Sequence, residues 1–113
     1  MHENLFNHVD IQEGNVFIPE GNGENLEMLC KEYNNKLANA EIDVQILGIG
    51  GNGHIGFNEP GTSFDQETFI VELTEQTRED NKRFFNHIDE VPRYAITMGI
   101  KNIVAAKKII LIA

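Results

Sequence analysis

The sequence of 113 residues predicts an α/β fold, an open and mostly parallel sheet flanked by helices, of which this chain holds only a part. Three observations predict it. Segments with helical and with strand-like spacing of apolar residues alternate along the chain. One strand runs directly into a glycine-rich loop, as at the ligand crevice of open α/β sheets. The last segment, IILIA, is an apolar strand with no turn or cap after it, which indicates an incomplete sheet.

The first predicted element is a helix from Asn22 to about Ala40. Asn22 is the expected N-cap, and Glu24 lies in the first turn. The apolar residues recur at helical spacing; they are Leu26, Leu29, Cys30, Tyr33 and Leu37. Cys30 lies on this apolar stripe, so we expect it to pack in the core and to take no part in chemistry.

The next elements surround the glycine-rich loop. Residues 42–49, IDVQILGI, are rich in β-branched side chains and predict a strand covered on both faces. After the loop, Phe69–Leu73 predicts a short strand. Thr74 then caps a polar helix that extends to about Phe85.

Two further strands are predicted at Tyr94–Ile100 and Lys108–Ala113, joined by the segment KNIVAAK. A parallel crossover usually needs about a dozen residues or more, and this connector is shorter. The two strands should therefore be antiparallel or not adjacent, and the sheet should be mixed.

Composition excludes several classes of function. A formal net charge of −9, with nine scattered Lys and Arg residues, argues against a nucleic-acid surface. No apolar run approaches the roughly 20 residues of a membrane span. The single cysteine and the lack of a charged, then apolar leader are typical of a cytoplasmic protein.

The loop GIGGNGHIGFNEPG contains the pattern G-x-G-x-x-G at Gly48, Gly50 and Gly53, which on its face is a dinucleotide fingerprint. That fingerprint must open a helix, whereas four further helix-disfavouring residues follow here: Gly56, Asn58, Pro60 and Gly61. We therefore expect no nucleotide cofactor. The loop remains a candidate ligand site, with Gly50 and Gly51 as candidate substrate-binding residues.

His54 and Glu59 lie five residues apart in this loop, with Asn52 just before them. A carboxylate can orient an imidazole, and the pair could then act as a general acid and base. From spacing alone, a purely structural contact is as good an interpretation. The other histidines lack metal-ligand spacing, so we assign no metal.

Arg83 is the candidate anion-binding residue on the polar helix. Glu79 precedes it by four residues, so a surface ion pair between the two is the simpler interpretation of the sequence alone.

The run LGIGGNGHIGFNEPGTSF, residues 47–64, resembles the signature region of the glucosamine-6-phosphate deaminase family. The resemblance extends over essentially the whole chain through LFNHVDI, TREDNKRFF and VPRYAITMGIKNIVAAKKIILIA. It implies a Rossmann-like fold and the conversion of glucosamine 6-phosphate and water to fructose 6-phosphate and ammonia in amino-sugar catabolism. No cofactor is required for this isomerase and hydrolase chemistry.

By position, the resemblance implies that His54 opens the sugar ring, that Glu59 holds and polarises His54, and that Arg83 grips the substrate phosphate. Asn52 stands where many members have aspartate. Asparagine can hydrogen-bond a histidine but carries no charge.

The resemblance also implies that parts of the enzyme lie outside residues 1–113, which would then be the central part of one domain. The family's carboxylate base, its glycine and threonine phosphate loop and a phosphate-binding lysine have no match here. We expect the isolated chain to be inactive. Some members are hexamers activated by N-acetylglucosamine 6-phosphate through basic residues that would map near Phe69 and Val71. Since neither residue is basic, we expect no activation of this kind. A homo-oligomer is possible.

Two alternatives stay open. A 6-phosphogluconolactonase shares the fold and a glycine-histidine loop, but usually continues toward a Ser-Leu-Phe-Pro ending where this chain has FNEP. A sugar-phosphate-sensing domain of a transcription regulator would need anion binding without the histidine and glutamate.

Overall fold

Helices and strands alternate along the chain in a computed structural model that describes residues 1–113. The predicted α/β class is confirmed. Four short 3-10 turns are present: Phe6–His8 and Glu13–Asn15 precede the first helix, and Lys82–Phe84 and Ile88–Glu90 follow the second. The regular elements are α1 (Leu26–Ala38), β1 (Val44–Gly48), β2 (Phe69–Glu72), α2 (Glu75–Asn81), β3 (Tyr94–Thr97), α3 (Ile100–Val104) and β4 (Lys108–Ile112).

The strands form two separate pairs. β1 and β4 are parallel, in a register that pairs Val44 with Lys108 and Gly48 with Ile112. β2 and β3 are antiparallel, with Phe69 opposite Thr97. The last two strands were predicted to be antiparallel or not adjacent, and the second alternative is observed, because β3 pairs with β2 and β4 with β1. The prediction of one mixed sheet is wrong for this chain, because the parallel and the antiparallel pair form two separate two-stranded sheets.

The segment predicted as a plain connector contains α3. The strand predicted to reach Ile100 ends at Thr97, and helix α3 starts three residues later. Gly99 precedes the helix, and its backbone N–H donates to Asn102 Oδ1 at 3.3 Å. This local hydrogen bond turns the chain into a helix and ends the strand earlier than its apolar pattern suggests.

The predicted N-cap of α1 is wrong by three residues. Asn25, not Asn22, caps the helix, because Asn25 Oδ1 accepts a hydrogen bond from the backbone N–H of Met28 at 3.1 Å. Cys30 is buried, as predicted. Burial and the nearby Glu27 carboxylate raise the pKa of its thiol, which keeps the sulfur protonated and unreactive.

Helix α2 begins where the sequence predicts. Thr74 Oγ1 accepts from the backbone N–H of Thr77 at 3.1 Å, the hydrogen bond expected of an N-cap. The α-helix ends at Asn81, and the chain continues through the tighter turn Lys82–Phe84 instead of remaining α-helical to Phe85.

Helix α1 is fastened to β2 by an amide side chain. Asn34 Oδ1 accepts from the backbone N–H of Thr68 at 3.0 Å, while Asn34 Nδ2 donates to the Thr68 carbonyl at 3.2 Å. The Thr68 hydroxyl, itself buried, donates to Asn102 Oδ1 at 3.3 Å. These bonds tie α1, the start of β2 and α3 together.

The parallel pair is exposed. All five side chains of β4 are exposed, as are Val44 and Ile46 of β1. This agrees with the expectation that apolar side chains of the last strand lack partners within the chain. None of the helices has the length and apolar character needed to cross a bilayer.

We expect Gly99→Ala to lower the free energy of unfolding by about 1–3 kcal/mol. A methyl group at Gly99 would overlap the carbonyl oxygens of Gln66 and Glu67, and backbone atoms cannot rotate away as a side chain can. Thermal unfolding of the chain followed by circular dichroism measures the effect. Gly14→Ala is the matched control, since its new methyl group would meet no atom within 4 Å. Equal melting temperatures for the two variants would contradict the prediction.

Candidate functional site

The glycine-rich loop that follows β1 folds back on itself twice. Isolated antiparallel bridges join Ile49 to Ile55 and Ile55 to Asn58. Gly53 and Gly56 make the reversals, with φ of +88° and +56°, a region that side chains disfavour. No helix follows the G-x-G-x-x-G pattern. The prediction that no helix opens at this pattern is therefore confirmed.

Gly50 lies directly behind the imidazole of His54. The backbone N–H of Gly50 donates to the His54 carbonyl at 2.9 Å, which holds the two residues next to each other across the turn. A methyl group at Gly50 would overlap Cε1, Nδ1 and Nε2 of the His54 ring. Gly50 was predicted as a substrate-binding residue, but it does not line the polar cavity described below. Its observed contact is with the histidine.

Three polar side chains form a hydrogen-bonded row, which we call the relay: His54, Asn52 and Glu59. His54 Nδ1 lies 2.6 Å from Asn52 Oδ1, and Asn52 Nδ2 donates to Glu59 Oε2 at 2.7 Å. The predicted neighbourhood of histidine and glutamate is thus observed. Their contact is indirect, however, because the asparagine amide lies between them.

The orientation of the Asn52 amide follows from its neighbours. The backbone N–H of His54 can only donate, and it points at Asn52 Oδ1 at 3.1 Å. The Glu59 carboxylate can only accept when ionised, and it faces Asn52 Nδ2. Since Oδ1 is then an acceptor, His54 Nδ1 must carry a proton. In neutral His54 the unprotonated nitrogen is therefore Nε2.

The relay faces a polar cavity of about 280 Å³ between the loop and the start of α2. No hydrophobic side chain lines it. Gly51, Asn52, His54 and Glu59 come from the loop, and the opposite wall is formed by Thr74, Gln76, Thr77 and Asp80. His54 and Glu59 are half-buried, whereas Asn52 is exposed. A wall of hydroxyl, amide and carboxylate groups suits a small ligand with many hydroxyl groups.

The wall contributed by α2 was missed in the sequence. Thr74 was predicted only as a helix cap, and nothing in the spacing of Gln76, Thr77 and Asp80 marks them as cavity residues. The helix start could be predicted because it depends on local sequence. Its approach to a loop more than ten residues earlier depends on how β2 pairs with β3.

Arg83 does not line the cavity. It lies in the 3-10 turn after α2, exposed, with its guanidinium carbon 4.8 Å from the centre of the Phe84 ring. The alternative ion pair with Glu79 is not formed, since Glu79 pairs with Lys82 at 3.3 Å. The change from α-helix to 3-10 turn after Asn81 alters the angular offset on which an α-helical i, i+4 pair depends.

The loop is also held by hydrogen bonds to the end of β3. The hydroxyl of Thr97, at the end of β3, accepts from the backbone N–H of Phe57, and the side chain of Asn58 donates to the Met98 carbonyl. Each bond joins residues 40 positions apart. Both side chains are buried. Sequence reasoning missed their contribution. Asn58 stands next to Glu59 and could have drawn notice, but no local signal links Thr97 to the loop.

Comparison with known proteins gives a consistent result. The profile of the family described as glucosamine-6-phosphate isomerases/6-phosphogluconolactonase matches residues 1–113. The chain is 59% identical over 114 aligned residues to a glucosamine-6-phosphate deaminase of Clostridium botulinum (strain Loch Maree / Type A3). It is 53% identical to the deaminase of Halalkalibacterium halodurans. It spans about half of each relative, covering 47% and 46% of their lengths.

A solved structure agrees in shape. The chain superposes with a TM-score of 0.92 on a monomeric glucosamine-6-phosphate deaminase, with 49% sequence identity. The match covers 98% of this chain and 46% of that one. At this identity and TM-score, the arrangement of helices and strands described above is shared with that enzyme.

Proposed function

The chain belongs to the family of glucosamine-6-phosphate isomerases and 6-phosphogluconolactonases, and from that premise we propose that it forms part of a glucosamine-6-phosphate deaminase. Such an enzyme converts glucosamine 6-phosphate and water to fructose 6-phosphate and ammonia. The observation that carries the proposal is the relay of His54, Asn52 and Glu59 at the wall of a polar cavity.

We assign ring opening to His54. The cyclic sugar opens when the proton of its C1 hydroxyl leaves and a proton is delivered to the ring oxygen. Neutral His54 has its unprotonated Nε2 available to take the first proton, and the resulting imidazolium can donate it to the ring oxygen. One nitrogen serves as base and then as acid, so no net proton is gained or lost.

Glu59 and Asn52 hold the imidazole for that task. The Glu59 carboxylate fixes the Asn52 amide through Nδ2, and the amide oxygen then fixes the proton on His54 Nδ1. The carboxylate also polarises the amide, so that its oxygen better stabilises the transient imidazolium. Glu59 thus acts on His54 through Asn52, which refines the direct contact that the family resemblance implies.

The later steps are shared with residues outside this chain. Proton transfer between C1 and C2 requires a carboxylate base, and we place that base in the part of the enzyme that residues 1–113 do not span. Arg83 is our candidate for the substrate phosphate. No carboxylate pairs with its guanidinium, so its planar fork is free to bind two phosphate oxygens. It must approach the cavity to do so, as a lid would on closure.

The deaminase is favoured over both alternatives. A lactonase has no need of a ring-opening relay, and Glu59, the carboxylate of the relay, lies in the FNEP run that separates the two groups. A sensing domain needs anion binding only. The matched relatives in Clostridium and Halalkalibacterium are deaminases.

We also propose that this enzyme lacks activation by N-acetylglucosamine 6-phosphate and acts in the cytoplasm. The resemblance places the family's basic activator residues near Phe69 and Val71, which lie on β2 and carry no charge. The single cysteine is a buried thiol, which suits a reducing compartment.

A chimera tests the function without the rest of the enzyme being known. In it, residues 1–113 replace the aligned segment of the Clostridium botulinum Loch Maree deaminase, to which they are 59% identical. We expect the chimera to release ammonia and fructose 6-phosphate from glucosamine 6-phosphate, since 59% of the exchanged residues are identical. Its kcat should lie within about tenfold of the host, a difference of about 1.4 kcal/mol in the barrier. The 113-residue chain alone, assayed beside it, should show no turnover.

The outcomes of the chimera experiment distinguish the deaminase from the lactonase and the sensing domain. A folded chimera that hydrolyses 6-phosphogluconolactone and releases no ammonia would establish the lactonase. A folded chimera that binds sugar phosphates without turning them over would favour the sensing domain. Turnover by the isolated chain would refute our assignment of the base to residues outside it.

A further inference from the structure

The residue before the relay carboxylate is locked in place by β3. Asn58, only 3% exposed, donates from Nδ2 to the carbonyl of Ile55 at 3.0 Å and to that of Met98 at 2.8 Å. One of these carbonyls belongs to the loop and the other follows β3. A single amide therefore joins the two segments immediately beside Glu59.

Thr97 makes the second attachment. It is 8% exposed, and its Oγ1 accepts from the backbone N–H of Phe57 at 3.2 Å while lying 3.4 Å from the Met98 carbonyl. Gly56, with φ of +56°, lets the loop come this close, because a methyl group there would lie 3.0 Å from the same hydroxyl oxygen. Thr97 thus supports the stretch that leads from His54 to Glu59.

We propose that Thr97, together with Asn58, is a positioning residue of the reaction, which holds the Glu59 carboxylate at its hydrogen-bonding distance from Asn52. The role rests on the proposed function. Thr97 makes no hydrogen bond with the relay side chains, so it acts through the backbone of residues 57 to 59. It is the end of a strand, not the loop sequence itself, that sets the distance within the relay.

Loss of the support from Thr97 should lower kcat more than it changes KM. The relay has to keep its alignment while His54 holds the transferred proton, and small misplacements of catalytic groups can cost up to about 10²-fold in rate. The hydroxyl of Thr97 does not line the polar cavity, so ground-state binding of the sugar should change little. Loss of one buried acceptor leaves the Phe57 N–H without a partner and frees this stretch to shift.

The test compares three variants in the chimera. Thr97→Val keeps the shape of the side chain and removes the acceptor, whereas Thr97→Ser keeps the hydroxyl. Thr68→Val is the matched structural control, because Thr68 is also buried, at 4% exposure, and its hydroxyl bonds to Asn102 away from the relay. We expect Thr97→Val to lower kcat about tenfold or more with KM within twofold, and Thr97→Ser and Thr68→Val to stay within about threefold of the parent.

A second readout does not depend on turnover. Hydrogen exchange of the peptide that spans residues 55–59 should become about tenfold faster in Thr97→Val than in Thr68→Val, since only the former frees the Phe57 N–H. If the parent chimera is inactive, the proposed function fails and this exchange still decides whether Thr97 holds the loop. Equal losses of kcat in Thr97→Val and Thr68→Val, or equal exchange, would overturn the positioning role.

Discussion

We expect His54→Ala to lower kcat of the chimera by about 10²- to 10⁴-fold, the range that a general acid and base contributes. The relay leaves Nε2 of neutral His54 as the free base, and no second imidazole lines the cavity to replace it. Steady-state ammonia release measures the loss. Added imidazole should restore part of the rate, because the removed side chain leaves an opening beside the cavity.

A control variant and a rescue measurement test this expectation. His8→Ala removes an exposed histidine whose Nε2 contacts the Glu3 carbonyl near the start of the chain, and it should leave kcat unchanged. A loss in His54→Ala that free imidazole does not reverse, together with a lower melting temperature, would point to a structural histidine. That outcome would remove the central assignment of the mechanism.

Gly50→Ala should lower kcat nearly as far, by about 10²-fold, which corresponds to about 2.7 kcal/mol in the barrier. The new methyl group would occupy the space of three atoms of the His54 ring. The imidazole can rotate away, so the loop should survive, but Nδ1 would then leave Asn52 Oδ1. The substitution therefore damages the relay without replacing any of its three side chains.

The measurement for Gly50→Ala is again kcat, with the melting temperature recorded beside it. Gly21→Ala is the control, since a methyl group there would meet no atom within 4 Å. Unchanged turnover in Gly50→Ala would show that the observed ring position is not the one used in the reaction. A collapse of the melting temperature would show instead that the ring cannot move aside.

Local signals accounted for most of the fold. The cap at Thr74, the burial of Cys30 and the termination of regular structure by glycines after β1 each depend on neighbours within a few residues. The start of α1 and the presence of α3 were mispredicted, although these too are local. At α1 the cap is Asn25, directly before the first apolar residue of the stripe, and not Asn22. At α3 the Asn102 side chain accepts from the backbone N–H of Gly99, and this local bond outweighs the apolar pattern.

The candidate site was predicted in part. The sequence predicts that His54 and Glu59 lie close together, because glycines allow a tight loop. It does not predict that the Asn52 amide lies between them. The position of Arg83 relative to the cavity could not be read from spacing, since it depends on where α2 gives way to a tighter turn. The support from Thr97 was out of reach, because strand pairing alone brings it to the loop.

The dependence of the loop on β3 limits what can be transplanted. The segment GHIGFNEP is short and continuous, which suggests that it could be moved as a unit. However, the backbone N–H of Phe57 bonds to Thr97 and the side chain of Asn58 to Met98, each 40 positions later. A scaffold that received the loop alone would lack both attachments and leave the buried Asn58 amide without one of its acceptors. Anyone grafting this chemistry onto another protein would need to carry the end of β3 with it, as a two-part insert.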